Sequence, residues 1–301
     1  MTTKVRLSFD EQVELLADRE LGIEDAEACR FFLSRVNYYR FSGYARYFQV
    51  DPGSGDNTFQ GSIKFSEIRE IYELDQALRD LCLSGLSLVE SCLRTQFAYI
   101  FSKLASPYGD FLTEERFVAS STDGPVTESI FRDLDRSKEP YVLHFRKTDP
   151  LNPGSKPTYP SMPVWAAVEV LSFGTLSRCL ERCRDQEVPK QIAQNVDVAW
   201  SGFTSQVKSF VYLRNRCAHH SRLWNHSVLD APHVPNNVRT RAKRTHGQFG
   251  HRSIYVILVA LDNFLEKSGL RQGLLQEAED LIRQSERFCE GIKSPVVLTA
   301  R

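Results

Sequence analysis

The stretch Phe210-Val211-Tyr212-Leu213-Arg214-Asn215-Arg216-Cys217-Ala218-His219-His220-Ser221-Arg222-Leu223-Trp224-Asn225 gathers cations, imidazoles and an amide within a few helical turns. An imidazole exchanges protons near neutral pH, and cations and amide donors hold phosphate oxygens, so this surface suits proton transfer at a phosphodiester. On a helical wheel of roughly 100° per residue, Phe203, Val207, Phe210, Cys217 and Ala218 form an apolar face with Arg214 in its middle. A guanidinium in a core seam needs a carboxylate or a phosphate to receive it. The structural alternative is an ion pair with an acid on a neighbouring helix, Glu90 or Glu169. Asn215 and His219, four residues apart, share the opposite face with Lys208 and Tyr212. His219 alone would be an ordinary solvated histidine; its company gives it a chemical reading. Zinc is a further alternative through Cys217, His220 and His226, but their spacing fits no usual ligand pattern and Cys217 lies on the apolar face. We therefore expect no metal and no cofactor.

These residues need a helical frame, and the 301-residue chain can build one. Between residues 10 and 50 the apolar spacing predicts two short helices, with Leu21-Gly22-Ile23 as the turn and Asp25 as an N-cap. A loop is expected over 51–57. From Phe65 to Leu104 an apolar stripe runs almost uninterrupted and predicts one long helix, with Gly85 as a candidate kink. Residues 106–162 read as loops around one or two short helices. Helical periodicity returns over 164–180, 196–224 and 253–289, and strand-like alternation is nowhere sustained. The fold class expected is all-α, a helical bundle, with a helical N-terminal cap over 1–60 and the main domain over 61–295.

Composition narrows the function classes. The 38 basic residues balance 38 acidic ones, so no global field attracts a polyanion and any such site must be local. Seven singly scattered cysteines, with no paired spacing, suggest a reduced cytoplasm. The N-terminus lacks a signal-peptide pattern, and the apolar run at 254–261 is too short to span a bilayer, so no membrane partner is expected.

The segment Arg214-Asn215-Arg216-Cys217-Ala218-His219 is similar to the Arg-x4-His signature of HEPN nucleases, including the polar residue after the arginine. Most of the chain resembles the Abi-like family of abortive-infection proteins, of the AbiD/AbiF type. The resemblance runs through Phe9-Asp10-Glu11-Gln12-Val13-Glu14-Leu15-Leu16, Tyr38-Tyr39-Arg40-Phe41-Ser42-Gly43-Tyr44, Leu93-Arg94-Thr95-Gln96 and Pro163-Val164-Trp165. It continues through Leu171-Ser172-Phe173-Gly174-Thr175-Leu176-Ser177 and ends in the segment from Leu213 to Asn225. It implies a HEPN-like helical bundle that forms a homodimer and cleaves RNA without metal as a toxin in antiviral defence. By motif, His219 would be the general acid/base, Arg214 would stabilise the scissile phosphate, and Asn215 would orient one of them. Five residues on a straight helix put Arg214 and His219 roughly 140° apart, so a distorted helix or a second copy is needed to bring them together.

Further RNA contacts are expected from Lys208, Tyr212, Arg216, His220 and Arg222, and from the basic run Arg239, Arg241, Lys243, Arg244 in a polar connection. That run is equally readable as a solvated loop. The aromatics and arginines from Tyr38 to Phe48 suit base stacking, but so many aromatics close together seldom all face water, which favours their packing a cap onto the bundle. Arg94 is expected to pair with Glu90 one turn earlier. Two other functions compete: a non-catalytic RNA-binding protein holding a non-coding RNA, and an interaction module controlled by an antitoxin.

Overall fold

In a computed structural model, which describes residues 5–152, 154–229 and 231–296, the described residues form fourteen α-helices and one two-stranded sheet. The all-α expectation holds. A 40-residue helix, α4 (Phe65–Leu104), runs through the molecule and packs against most of the others. Its apolar stripe turns Ile68, Ile71, Leu78, Leu86, Val89, Leu93 and Phe97 inward. Gly85 has a packing reason: an added Cβ would lie 2.4 Å from a methyl of Leu274 and 3.0 Å from one of Leu265. The glycine lets two later helices approach α4 closely.

The N-terminal part holds α1 (Phe9–Asp18), α2 (Ala26–Arg35) and α3 (Tyr38–Ala45). Asp25 caps α2 by accepting from the Ala28 N–H, as expected. The spacing missed α3, which Asn37 starts by accepting from the Tyr39 N–H. The expected loop at 51–57 is partly a hairpin: β1 (Gln49–Asp51) pairs antiparallel with β2 (Asp56–Phe59) around a turn containing Gly55 at φ +97°. Strands this short leave no periodicity to read.

Within 106–162 lie α5 (Val126–Arg136) and α6 (Pro140–Phe145), within the expected one or two short helices. The segment 164–180 is broken into α7 (Val164–Ala167) and α8 (Phe173–Arg182), the latter capped by Ser172. The stretch read as one helix from 196 to 224 begins later and ends sooner. After α9 (Glu187–Asn195), residues with left-handed backbone at Asp197 and Gly202 intervene before α10 (Phe203–Ala218). The basic connection also folds, as α11 (Asn236–His246). Last come α12 (Ile254–Lys267), α13 (Leu274–Ile282) and α14 (Glu286–Lys293), three helices where one periodic stretch was legible.

One buried acid organises the junction between α3, α4 and the chain after α10. Asp75 is 0% exposed and accepts from Tyr44 Oη and Arg79 Nη1, both at 2.6 Å, and from the N–H groups of Leu223 (3.1 Å) and Trp224 (3.0 Å). A second hub sits on α13, where the buried Glu279 accepts from Tyr255, Lys293 (2.8 Å) and Arg283 (3.0 Å). Burial pushes its carboxyl up, but those three partners prevail and hold it below the ordinary carboxylate range. Removing one member of a buried pair leaves its partner's charge uncompensated. Asp75→Ala is therefore expected to cost about 3–5 kcal/mol, read as a lower denaturation midpoint at unchanged slope in urea.

Candidate active site

Helix α10 carries the motif, and its end is shaped by backbone geometry. The Ser221 N–H donates to Arg216 O at 2.8 Å, and the His220 N–H donates to Cys217 O at 2.9 Å. With His220 at φ +52°, this is the paired 6→1 and 5→2 closure of a Schellman motif, with histidine where glycine is usual. His219 is consequently the C-cap residue, exposed at the helix end, and His220 is also exposed. The His220 carbonyl accepts from Arg40 of α3 at 2.5 Å. Asn225, at φ +48°, is tied by its N–H to Gly291 O (3.0 Å) and by its Oδ1 to the Val296 N–H (2.9 Å).

Arg214 is 36% exposed by side chain, and its Nε lies 3.4 Å from Glu90 Oε2 on α4. Of the two acids expected as partners, Glu90 fills the role. The other Glu90 oxygen accepts from Arg94, as expected, and Arg94 also donates to the carbonyls of Val168 and Leu171 (2.7 Å). Arg214 does not sit in the middle of the apolar face: Leu213 takes the buried position, and Ala218, placed inward by the wheel, is exposed. Arg214 Nη1 donates to Asn215 Oδ1 at 3.2 Å. No hydrogen bond joins Arg214 to His219. The helix separates them by roughly 140°, and the distortion considered as one remedy begins only after His219.

The remaining candidates divide into two groups. Lys208 is exposed with Nζ 4.0 Å from Glu181. Tyr212, Arg216, Arg222 and His226 form a half-buried cluster in which Tyr212 hydrogen-bonds His226 Nε2 and stacks on its ring. Arg216 lies 5.9 Å from the Tyr212 centroid and donates to Arg222 O; Arg222 lies 4.5 Å from the Tyr47 centroid and donates to its hydroxyl at 3.0 Å. Arg216 Nε and Arg222 Nη1 are buried with no hydrogen-bond partner among the described residues. On α11, Arg239 donates to Asn236, Arg241 lies 3.5 Å from Glu266, Lys243 covers the Phe249 ring and Arg244 is exposed. The Tyr38–Phe48 aromatics divide: Phe41 and Tyr44 are buried, Phe48 stacks on Trp224, and Tyr39 is exposed.

Sequence reasoning overlooked Asp75 and Arg79, although an opposite-charge pair at i,i+4 inside an apolar stripe was there to be read. Among the described residues, no group of three or more His, Cys, Asp or Glu side chains could hold a metal ion, and no helix is long and apolar enough to cross a membrane. All seven cysteines are free.

The class of protein is thus an all-helical one that offers an arginine, an amide and an exposed histidine along the C-terminal end of one helix. The family model described as Abi-like protein matches residues 31–225, from α2 to the last residue of the motif segment, and the chain belongs to that family. Its membership points to a role in abortive infection. No curated protein and no solved structure matches the chain.

His226 generates a pH prediction. Burial, reinforced by the charges of Arg216 and Arg222, lowers its pKa from 6.5 to about 4. The folded state therefore keeps His226 neutral while the unfolded chain takes up a proton below 6.5. Its stabilising contribution is complete above pH 6.5 and declines as pH falls from there towards 4. His226→Gln, neutral throughout, should flatten the acid limb of stability against pH measured by urea denaturation, and an NMR titration should find the wild-type ring neutral at pH 5.

Proposed function

We propose that this Abi-like protein is a metal-independent endoribonuclease of the HEPN type, of the AbiD/AbiF kind, acting in defence against phage. One observation carries the reading: a half-exposed arginine anchored by Glu90 and steered by Asn215 shares a helix with an exposed histidine at its end. Such a pair meets the needs of RNA self-cleavage. The 2′-hydroxyl attacks the adjacent phosphorus, the bond to the 5′-oxygen breaks, and the products are a 2′,3′-cyclic phosphate and a 5′-hydroxyl. His219 takes the 2′-hydroxyl proton or gives one to the leaving oxygen, and Arg214 stabilises the charge on the non-bridging oxygens. Because the two residues diverge on α10, the site is completed in a homodimer, where Arg214 of one copy meets His219 of the other. Lys208 and the α11 cations Arg239, Arg241, Lys243 and Arg244 would track the RNA backbone, giving salt-sensitive affinity.

Incubating the purified chain with total RNA in EDTA tests the reading. Wild type should produce cyclic-phosphate ends, while His219→Ala and Arg214→Ala should each lose roughly 100-fold or more in rate. A substrate with a 2′-deoxy residue at the cleavage point should stay intact. His220→Gly, which suits the left-handed backbone, should keep the fold. Equal RNA integrity with wild type and His219→Ala, both retaining RNA in a shift assay, would replace the nuclease by a non-catalytic RNA-binding protein. A copurifying protein without RNA would point to antitoxin control.

A further inference from the structure

An open groove of about 350 Å³ lies beside α4 and α7, lined by Thr95, Tyr99, Ser102, Trp165 and Glu169. Its two aromatic side chains are unusually open to solvent, Tyr99 at 64% and Trp165 at 48%. Tyr108 packs edge-on against Trp165, centroids 5.7 Å apart, which steadies the indole without covering the groove. Glu169 is exposed. Burial first, then the charges of Glu139 and Glu169, raise the pKa of the nearby Tyr141 hydroxyl, and Arg94 opposes them. Aromatic faces beside a solvent-facing carboxylate and two hydroxyls are a poor match for an apolar partner helix, which would strand the charge. They are also a poor match for an RNA backbone, which the carboxylate repels. They match a nucleobase that presents hydrogen-bond donors.

We propose that this groove binds an unpaired guanine of single-stranded RNA, its face on Trp165 and Tyr99 and its donor edge on Glu169. Guanine is the base whose N1–H and N2–H₂ point the same way, so it can donate twice to one carboxylate, whereas adenine offers an acceptor at N1. The choice of RNA as the occupant rests on the RNA reading of the Arg214 site. Arg94 joins the two places: it shares Glu90 with Arg214 and donates to the Val168 carbonyl at the groove wall. Thr95 and Tyr99 follow Glu90 by five and nine residues, roughly 140° and 180° around the α4 axis, so the groove would hold its base on a different face of α4 from the Arg214 site.

Two probes test this on the full chain: 5′-GMP beside 5′-AMP, and a 2′-O-methyl single-stranded oligonucleotide with one guanine, which cannot be cleaved. Trp165 fluorescence, with Trp165→Phe as the blank, reports occupancy; anisotropy of the labelled oligonucleotide reports affinity. GMP should quench Trp165 more than AMP does, including in Arg214→Ala. Trp165→Ala should weaken oligonucleotide binding roughly 5- to 100-fold, the worth of a stacked base. Glu169→Gln should reduce the guanine-over-adenine preference roughly tenfold, the scale of one bidentate base contact. Both positions are exposed, and circular dichroism checks that the variants fold. Unchanged affinity and base preference in both variants overturn the proposal while leaving the nuclease reading intact. A Trp165→Ala protein that changes its mass in solution but not its RNA affinity overturns it in favour of a protein interface. GMP quenching in a chain that cleaves no RNA upholds the groove and removes the nuclease.

Discussion

The carboxylate of Asp75 is the constraint on which the site end of the molecule depends. Burying a charged group with none of its surface exposed requires that its oxygens be met by donors. Asp75 collects them from three parts of the chain: a tyrosine of α3, an arginine one turn along α4, and two backbone N–H groups after α10. Leu223 and Trp224 are thereby held against α4, and the chain must leave the α10 axis in the few residues before them. The closure at Arg216–Ser221 accomplishes this and leaves His219 facing solvent. Trp224 then completes the junction, stacked on Tyr44 and Phe48 and donating to Arg287 O at 2.9 Å.

The arginines near this junction show how environment divides one residue type among tasks. Arg79 and Arg94 meet carboxylates in buried or nearly buried surroundings and belong to the framework. Arg216 and Arg222 rest on tyrosine rings, and their charge adds to the burial that keeps the neighbouring His226 neutral. Arg214 stands between these states, with one edge on Glu90 and more than a third of its side chain exposed. The histidines divide similarly. His226 is engaged by Tyr212, whereas His219, seven residues earlier, projects from the helix end.

Legibility followed the length of the periodic signal. Helix α4 was readable at both ends because forty residues repeat one apolar stripe and no Pro interrupts them. Asp25 was readable as a cap because capping is local chemistry. The breaks at 168–172 and 196–202 were not, since the flanking apolar residues keep near-helical spacing across them while the backbone turns away. Helix α11 was hidden for the opposite reason. Ala242 is the one buried residue described in it, so it shows almost no apolar pattern, and its ion pair to Glu266 and Lys293's bond to the His246 carbonyl hold it from outside. The groove at Trp165 was also invisible as a site, because its members lie some seventy residues apart and meet only where α7 crosses α4.

By itself, the order of residues determined the helical class, the long central helix and the clustering of Arg214, Asn215 and His219, since all three depend on neighbours within a few turns. Tertiary structure decided where α10 stops, which acid receives Arg214, and which arginines stay half buried on aromatic rings. Those outcomes depend on charges and donors brought from distant segments into a medium where an unmet polar group is costly, and no local spacing encodes such a meeting.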